Sequence, residues 1–367
     1  MKLNRKGLAT TFAGIATAAV LLSACSSSGG SNAGSDTAAA GTCSSGDLTA
    51  EGSTAQTNAM SQWIKDYQSQ CSGAKISYNP TGSGAGITGF LAGTDDFVGS
   101  DAALSADEFA QAKTRCGSAP LDLPMVVGPI AIAYKLSGVD SLVLDGPTIA
   151  KIFLGQVKTW DDAAIKALNP DATLPSTPIS VVYRSDSSGT TQNFETYLAA
   201  VAPDIFTGTP DKDSTKAGFA GQGAEKSQGV ADAISSTEGA IGYDEFSFAV
   251  ASSLSTASID TGAGSPIALS KDTAAAAAGA AQIASQGDGD YTLKLDYATK
   301  AADAYPIVLV TYEIACTKYS DSAKGTFVKN FLSYAASGGQ TALASLGYAP
   351  LPDDLRTKVA ASVDAIS

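Results

Sequence analysis

Between residues 181 and 201 the hydrophobic pattern changes its period. Val181, Val182 and Tyr183 form a β-branched and aromatic run that predicts a strand ending at Arg184. Small polar residues fill 185–189 as a turn, and beyond it Phe194, Tyr197, Leu198 and Val201 recur at i, i+3, i+4 and i+7. That spacing is one buried face of a helix beginning near Ser188. The same succession appears earlier in the chain. A short strand near Leu48 to Ala50 leads into Met60, Trp63, Ile64 and Tyr67 at helical spacing, which predicts a helix from Ser53 or Thr54. Ile76 to Tyr78 predicts a strand, residues 81–86 a Gly-rich turn and residues 87–91 a short helix. A further strand at 97–99 stops just before Ser100 and Asp101. Two continuous apolar runs, 125–134 and 306–315, suit strands buried on both faces.

A helix start carries N–H groups with no partner in the helix, together with the positive end of the macrodipole. Ser188, Gly189 and Thr190 therefore offer backbone and hydroxyl donors to an anion, and Arg184 adds a planar fork of donors that Asp186 can hold in position. Ser83 sits at the second such start, Thr54 at the first. Three of them converging on one point would surround an anion with donors. Asp101 adds an acceptor. Phosphate near neutral pH still carries a proton that a buried carboxylate can accept, whereas sulfate carries none and is only repelled. A site that pairs with a substrate OH rejects an analogue lacking it by about 10⁴–10⁵-fold.

Lys2, Arg5 and Lys6, an apolar run from Leu8 to Val20, and LLSAC at 21–25 read as a secretory signal over residues 1–24. The last five residues resemble the lipobox of bacterial lipoproteins, which makes Cys25 the lipidated N-terminus of the mature chain. Residues 26–42, mostly Ser, Gly and Ala, cannot bury a core and are expected to form a tether. The formal net charge is −13, and −16 without the signal. No basic face is available to displace counterions, which argues against nucleic acid as a partner. No segment after the signal is long and apolar enough to span a bilayer. Cys43, Cys71, Cys116 and Cys316 remain, an even number in an exported chain, and disulfides are expected. Three connectivities are open. Cys43–Cys71 with Cys116–Cys316 is favoured, because a helix packing back along its preceding strand brings its end near that strand's start.

GSTAQT at 52–57, TGSGAG at 81–86, GSDAALS at 99–105 and RSDSSGTT at 184–191 resemble the substrate-binding subunits of phosphate-specific ABC importers, the PstS family. So do the segments at 144–170, 239–243 and 305–314, and the resemblance covers nearly all of the chain after the tether. It implies an α/β fold of the two-lobed periplasmic-binding-protein type II, with lobe one at 44–126 plus 306–367, lobe two at 127–305, and the two apolar runs as hinge crossovers. It also implies inorganic phosphate in the cleft, held by Thr54, the backbone of Ala55, Ser83, Asp101, Arg184, Ser188, Gly189 and Thr190, with Asp186 restraining Arg184. Ala55 departs from the aromatic or leucine common at its position. The implied partners are the permease and ATPase subunits of an importer; the Gly/Ala-rich composition with a lipidated Cys25 and so long a tether points to the outer face of a Gram-positive cell membrane. The resemblance implies a monomer without cofactor or metal.

Two other readings stay open: a carrier for sulfate or arsenate, and a phosphate-ester hydrolase. The chain has no His, which removes the commonest acid–base group, and Ser188 has no evident base. Trp160, Asp161 and Asp162 are expected to pack and cap a helix, the Ala-rich run at 274–281 to be plain helix, and GDGD at 287–290 to be a turn.

Overall fold

The computed structural model describes residues 42–367. The signal segment, Cys25 and the tether as far as residue 41 lie outside the described residues. The strand and helix alternation follows at once: β1 (Gly46–Gly52), α1 (Thr57–Gln70), β2 (Ala74–Asn79), α2 (Ser83–Ala92), β3 (Phe97–Ser100) and α3 (Ala106–Cys116). β1 runs parallel to both β2 and β3, so these three strands end on the same side. α1 buries Met60, Trp63 and Tyr67 as their spacing predicts, together with Ala59, while Ile64 is half-buried.

Two helix starts differ from expectation. α1 begins at Thr57, not at Ser53 or Thr54, because residues 53–56 make a turn in which the Thr57 N–H donates to Thr54 O (3.2 Å) and the Ala55 N–H to Ser53 Oγ (3.1 Å). α2 begins at Ser83 and takes in residues expected as a Gly-rich turn. The reason is close approach. Gly82 caps the helix at φ 99°, and a Cβ on Gly86 would fall 2.5 Å from Gly52 Cα, so the glycines let the helix lie against backbone.

After β4 (Pro120–Tyr134) come β5 (Val143–Asp145), α4 (Gly146–Phe153), α5 (Ala163–Leu168), β6 (Ser180–Arg184), α6 (Gly189–Val201), β7 (Gln222–Ala224), α7 (Lys226–Ser236), β8 (Ala240–Glu245), α8 (Phe246–Ala251), β9 (Ser255–Thr256) and β10 (Ser258–Asp260). The chain continues through α9 (Lys271–Gly279), the hairpin β11 (Gln282–Ile283) and β12 (Leu293–Lys294), and β13 (Val308–Cys316) to α10 (Ser322–Ala336), α11 (Gln340–Leu343) and α12 (Asp353–Asp364). The main sheet has the order β2-β1-β3-β13-β4-β8-β6-β7, with β9 also on β4.

β4 is buried at all 15 positions and joins the halves. Its residues 120–129 pair antiparallel with β13, and its residues 130–134 pair antiparallel with β8. One strand thus belongs to two lobes. Beside that junction Ile130 donates its N–H to Ile307 O (2.8 Å) and accepts from the Tyr305 hydroxyl (2.9 Å), which ties the chain entering β13 to the same point. The disulfides are Cys43–Cys71 and Cys116–Cys316, the favoured pairing. Trp160 is fully buried, Asp162 caps α5, the Ala run lies in and just past α9, and residues 288–289 form a turn. Among the described residues no helix is long and apolar enough to cross a membrane.

Candidate functional site

The ends of β1 and β3, the start of α2, and the starts of α6 and α7 meet between the lobes around Asp101. This carboxylate is 3% exposed and lies where β3 ends. Its Oδ1 accepts from Ser53 Oγ (2.5 Å) and Thr311 Oγ1 (2.8 Å), and its Oδ2 from Thr190 Oγ1 (3.2 Å) and Ser83 Oγ (3.4 Å). Burial raises its pKa above the ordinary carboxylate value, against the opposing pull of the Ser53 and Thr311 hydroxyls and the Arg184 charge. Four hydroxyls on one carboxyl make it a concentrated acceptor.

Arg184 ends β6 and is 1% exposed. Its Nε donates to Asp186 Oδ1 (2.7 Å), its Nη2 to Asp186 Oδ2, and its Nη1 to Ser227 Oγ (3.4 Å). Burial works against the guanidinium charge, yet the two-point bond to Asp186 leaves its pKa raised. Burial likewise opposes the Asp186 charge, but Arg184 and the Lys226 N–H hold that carboxyl below its usual range. A buried, planar cation is therefore fixed in orientation by its neighbour.

Ser188 caps α6: its Oγ accepts from the Thr191 N–H (3.3 Å), and its own N–H donates to Lys212 O (2.9 Å). Gly189 and Thr190 follow as the first helical residues, whose N–H groups have no intrahelical partner. Thr54 Oγ1 lies 3.0 Å from Ser227 Oγ and accepts the Ser227 N–H (3.2 Å). The residues singled out from sequence, Thr54, Ala55, Ser83, Asp101, Arg184, Asp186, Ser188, Gly189 and Thr190, come together at the lobe junction. The Ala55 N–H is engaged by Ser53 Oγ. Direct contacts join the lobes here: the Gly84 N–H donates to Ser187 O (3.1 Å), and Asn193 Nδ2 donates to Asp101 O (2.7 Å).

A family model described as a PBP superfamily domain matches residues 37–338. Phosphate-binding protein PstS 3 of Mycobacterium tuberculosis (strain ATCC 25618 / H37Rv) is 44% identical over the whole of both chains. Phosphate-binding protein PstS 2 of the same organism is 42% identical, again over the whole of both. The chain belongs to the PstS family. In fold, it is similar to a high affinity periplasmic phosphate-binding protein solved with bound phosphate, at TM-score 0.69 and 23% identity, covering 86% of this chain and 93% of that one.

Several residues of this PstS-family cleft were not singled out from sequence. Ser53 and Thr311 both donate to Asp101, Ser227 bridges Thr54 and Arg184, and Asn193 holds the Asp101 carbonyl. Ser53 and Thr311 lie inside segments already matched to the family, and a rule of reading every hydroxyl in those segments would have found them. Ser227 had no such signal. Asp244 is the other omission: burial lifts its pKa well above the ordinary value, only partly offset by the Arg184 charge. Behind the turn at 53–56, the Tyr78 hydroxyl donates to Ser53 O (2.7 Å) and receives Gln56 Nε2 (3.0 Å), which fixes the turn against β2. Among the described residues no cluster of three or more metal-ligating side chains occurs.

Proposed function

We propose that this chain binds inorganic phosphate between its lobes and delivers it to the permease and ATPase subunits of an ABC importer. The observation that carries the reading is Asp101, a buried carboxyl ringed by hydroxyls and facing the start of α6 and the fixed guanidinium of Arg184. Such a pairing suits an oxyanion that still bears a proton. Asp101 accepts that proton's hydrogen bond. Arg184 and the N–H groups of Gly189 and Thr190 donate to the charged oxygens, as do Thr54, Ser83 and the hydroxyl of Ser188, whose lone pair already serves Thr191. The Ala55 N–H contributes while shared with Ser53 Oγ.

Lobe one comprises 44–126 with 306–367, and lobe two comprises 127–305. Phosphate touching both favours the closed form to the extent that it binds that form better. Cys25 carries the lipid that holds the monomeric carrier at the outer face of the membrane. Its family relatives named phosphate-binding proteins support the ligand.

Carrier, rather than hydrolase, is the reading the chemistry favours. The chain has no His, and among the described residues the hydroxyl of Ser188 pairs only with the Thr191 N–H, with no base to activate it. Equilibrium dialysis of the soluble domain with labelled phosphate, competed by sulfate and then arsenate, tests it. Retention of label against a large excess of sulfate is expected. Equal displacement by sulfate would overturn the phosphate reading, and turnover of a nitrophenyl phosphate would overturn the carrier reading.

A further inference from the structure

Ion pairs are distributed unevenly about the cleft. Arg184–Asp186, Lys166–Asp161, Lys216–Asp211, Lys324–Asp96, Lys329–Asp364 and Arg356–Asp353 each join groups on one side of it. Among the described residues, one pair crosses. Lys212 Nζ lies 3.0 Å from Glu108 Oε1, with side chains 16% and 24% exposed. We propose that Lys212 and Glu108 form the latch that holds the lobes shut over the cleft. This rests on the reading of the cleft as a phosphate site that closes.

Both ends of the pair are anchored to the site. On one side, the loop carrying Lys212 is pinned three times to the strand and helix that hold the anion cradle. Lys212 O accepts the Ser188 N–H (2.9 Å), Ser214 Oγ donates to Arg184 O (2.5 Å), and the Asp211 N–H donates to Glu195 Oε2 (2.9 Å). On the other side, Glu108 is the third residue of α3, and its Oε2 accepts the Ser105 N–H (2.8 Å) in a capping box. α3 is in turn fixed to β13 by Cys116–Cys316, and only a few residues separate its cap from Asp101.

Glu108 is therefore oriented before Lys212 reaches it, which removes much of the ordering cost that makes loose surface pairs ineffective. Burial opposes the Glu108 charge, but the Ser105 N–H and the Lys212 ammonium leave its pKa lowered. Opening the lobes breaks this contact and pulls on the residue that holds Ser188. The latch thus acts on the lifetime of the closed form, while Asp101 and Arg184 act on what is bound.

A double-mutant cycle tests this. Glu108→Gln keeps an acceptor for the capping box and removes the charge, and Lys212→Met keeps the stem and removes the ammonium. Either single variant is expected to release labelled phosphate about three- to tenfold faster, and the pair no faster than the singles. Raising salt to about 1 M speeds release from the wild type by the same factor and leaves the variants unchanged. Small-angle scattering without added anion runs the same cycle on the radius of gyration, with the wild type the more compact. Additive release rates, or rates within twofold of wild type together with equal radii, would overturn the latch. A wild type that binds no phosphate would overturn the functional reading instead, and the latch would then stand or fall on the radii alone.

Discussion

Gly189 stands where the lobes meet. A Cβ there would lie 2.7 Å from Asp101 Cβ and 2.8 Å from Ser83 Oγ, both across the cleft, so alanine can be accommodated only by parting the lobes. Overpacking of this kind costs about 1–3 kcal/mol, and it falls on the closed form alone. Gly189→Ala is expected to weaken phosphate binding by about fivefold or more, read by calorimetry, with little change in the thermal midpoint of the ligand-free protein. Unchanged affinity would mean that the bound lobes do not touch there. At this scale, RSDSSGTT was legible because its parts are local: Arg184 and Asp186 are two residues apart, and Ser188 caps the helix it precedes. Ser227 was not, because it reaches Thr54 across 173 residues; Thr311 lies in a family segment, but its pairing with Asp101 spans 210 residues and was hidden. Nothing in a local pattern of hydroxyls and apolar residues encodes such meetings.

Among the elements, strands and helix faces followed the hydrophobic period, and the helix starts were less secure. α6 began where its serine cap put it, while α1 began later and α2 earlier than expected. In both cases the deciding contact was tertiary, a turn held by Ser53 and Tyr78 for α1 and backbone laid against backbone for α2. The disulfides act at this scale too. Cys43–Cys71 closes a separation of 28 residues and Cys116–Cys316 one of 200. Chain-entropy arguments give about 3–4 kcal/mol for the first and about 5 kcal/mol for the second. Removing Cys116–Cys316 by paired alanines should therefore lower the denaturant midpoint more than removing Cys43–Cys71. The reverse order would show that strain or residual structure, rather than loop length, sets their worth.

Stability of the whole molecule carries a pH signature. Burial pushes Glu313 on β13, whose carboxyl oxygens have no hydrogen-bond partner among the described residues, up to about 8, and Glu195 on α6 up to about 7. The folded chain holds these protons to those values, whereas the unfolded chain releases them near the ordinary 4.5. Their contribution to stability is thus fully present below about pH 4.5 and is lost as pH rises through about 7 and 8. Denaturant midpoints measured from acid to mildly alkaline pH should fall across that window, and Glu313→Gln should flatten its upper part. An unaltered slope in the variant would place the titration elsewhere. The two-lobed plan itself was legible from the family segments and the two long apolar runs. The first of these proved to be a strand shared between the lobes and beginning earlier, at Pro120.

Selectivity turns on Asp101 reading a proton. Calorimetric titration of the wild type and of Asp101→Asn with phosphate and with sulfate tests that most directly. The wild type should bind phosphate and ignore sulfate, and the variant, with an amide donor where the carboxylate stood, should bind phosphate more weakly and admit sulfate. A variant as selective as the wild type would contradict the account and move the discrimination away from Asp101.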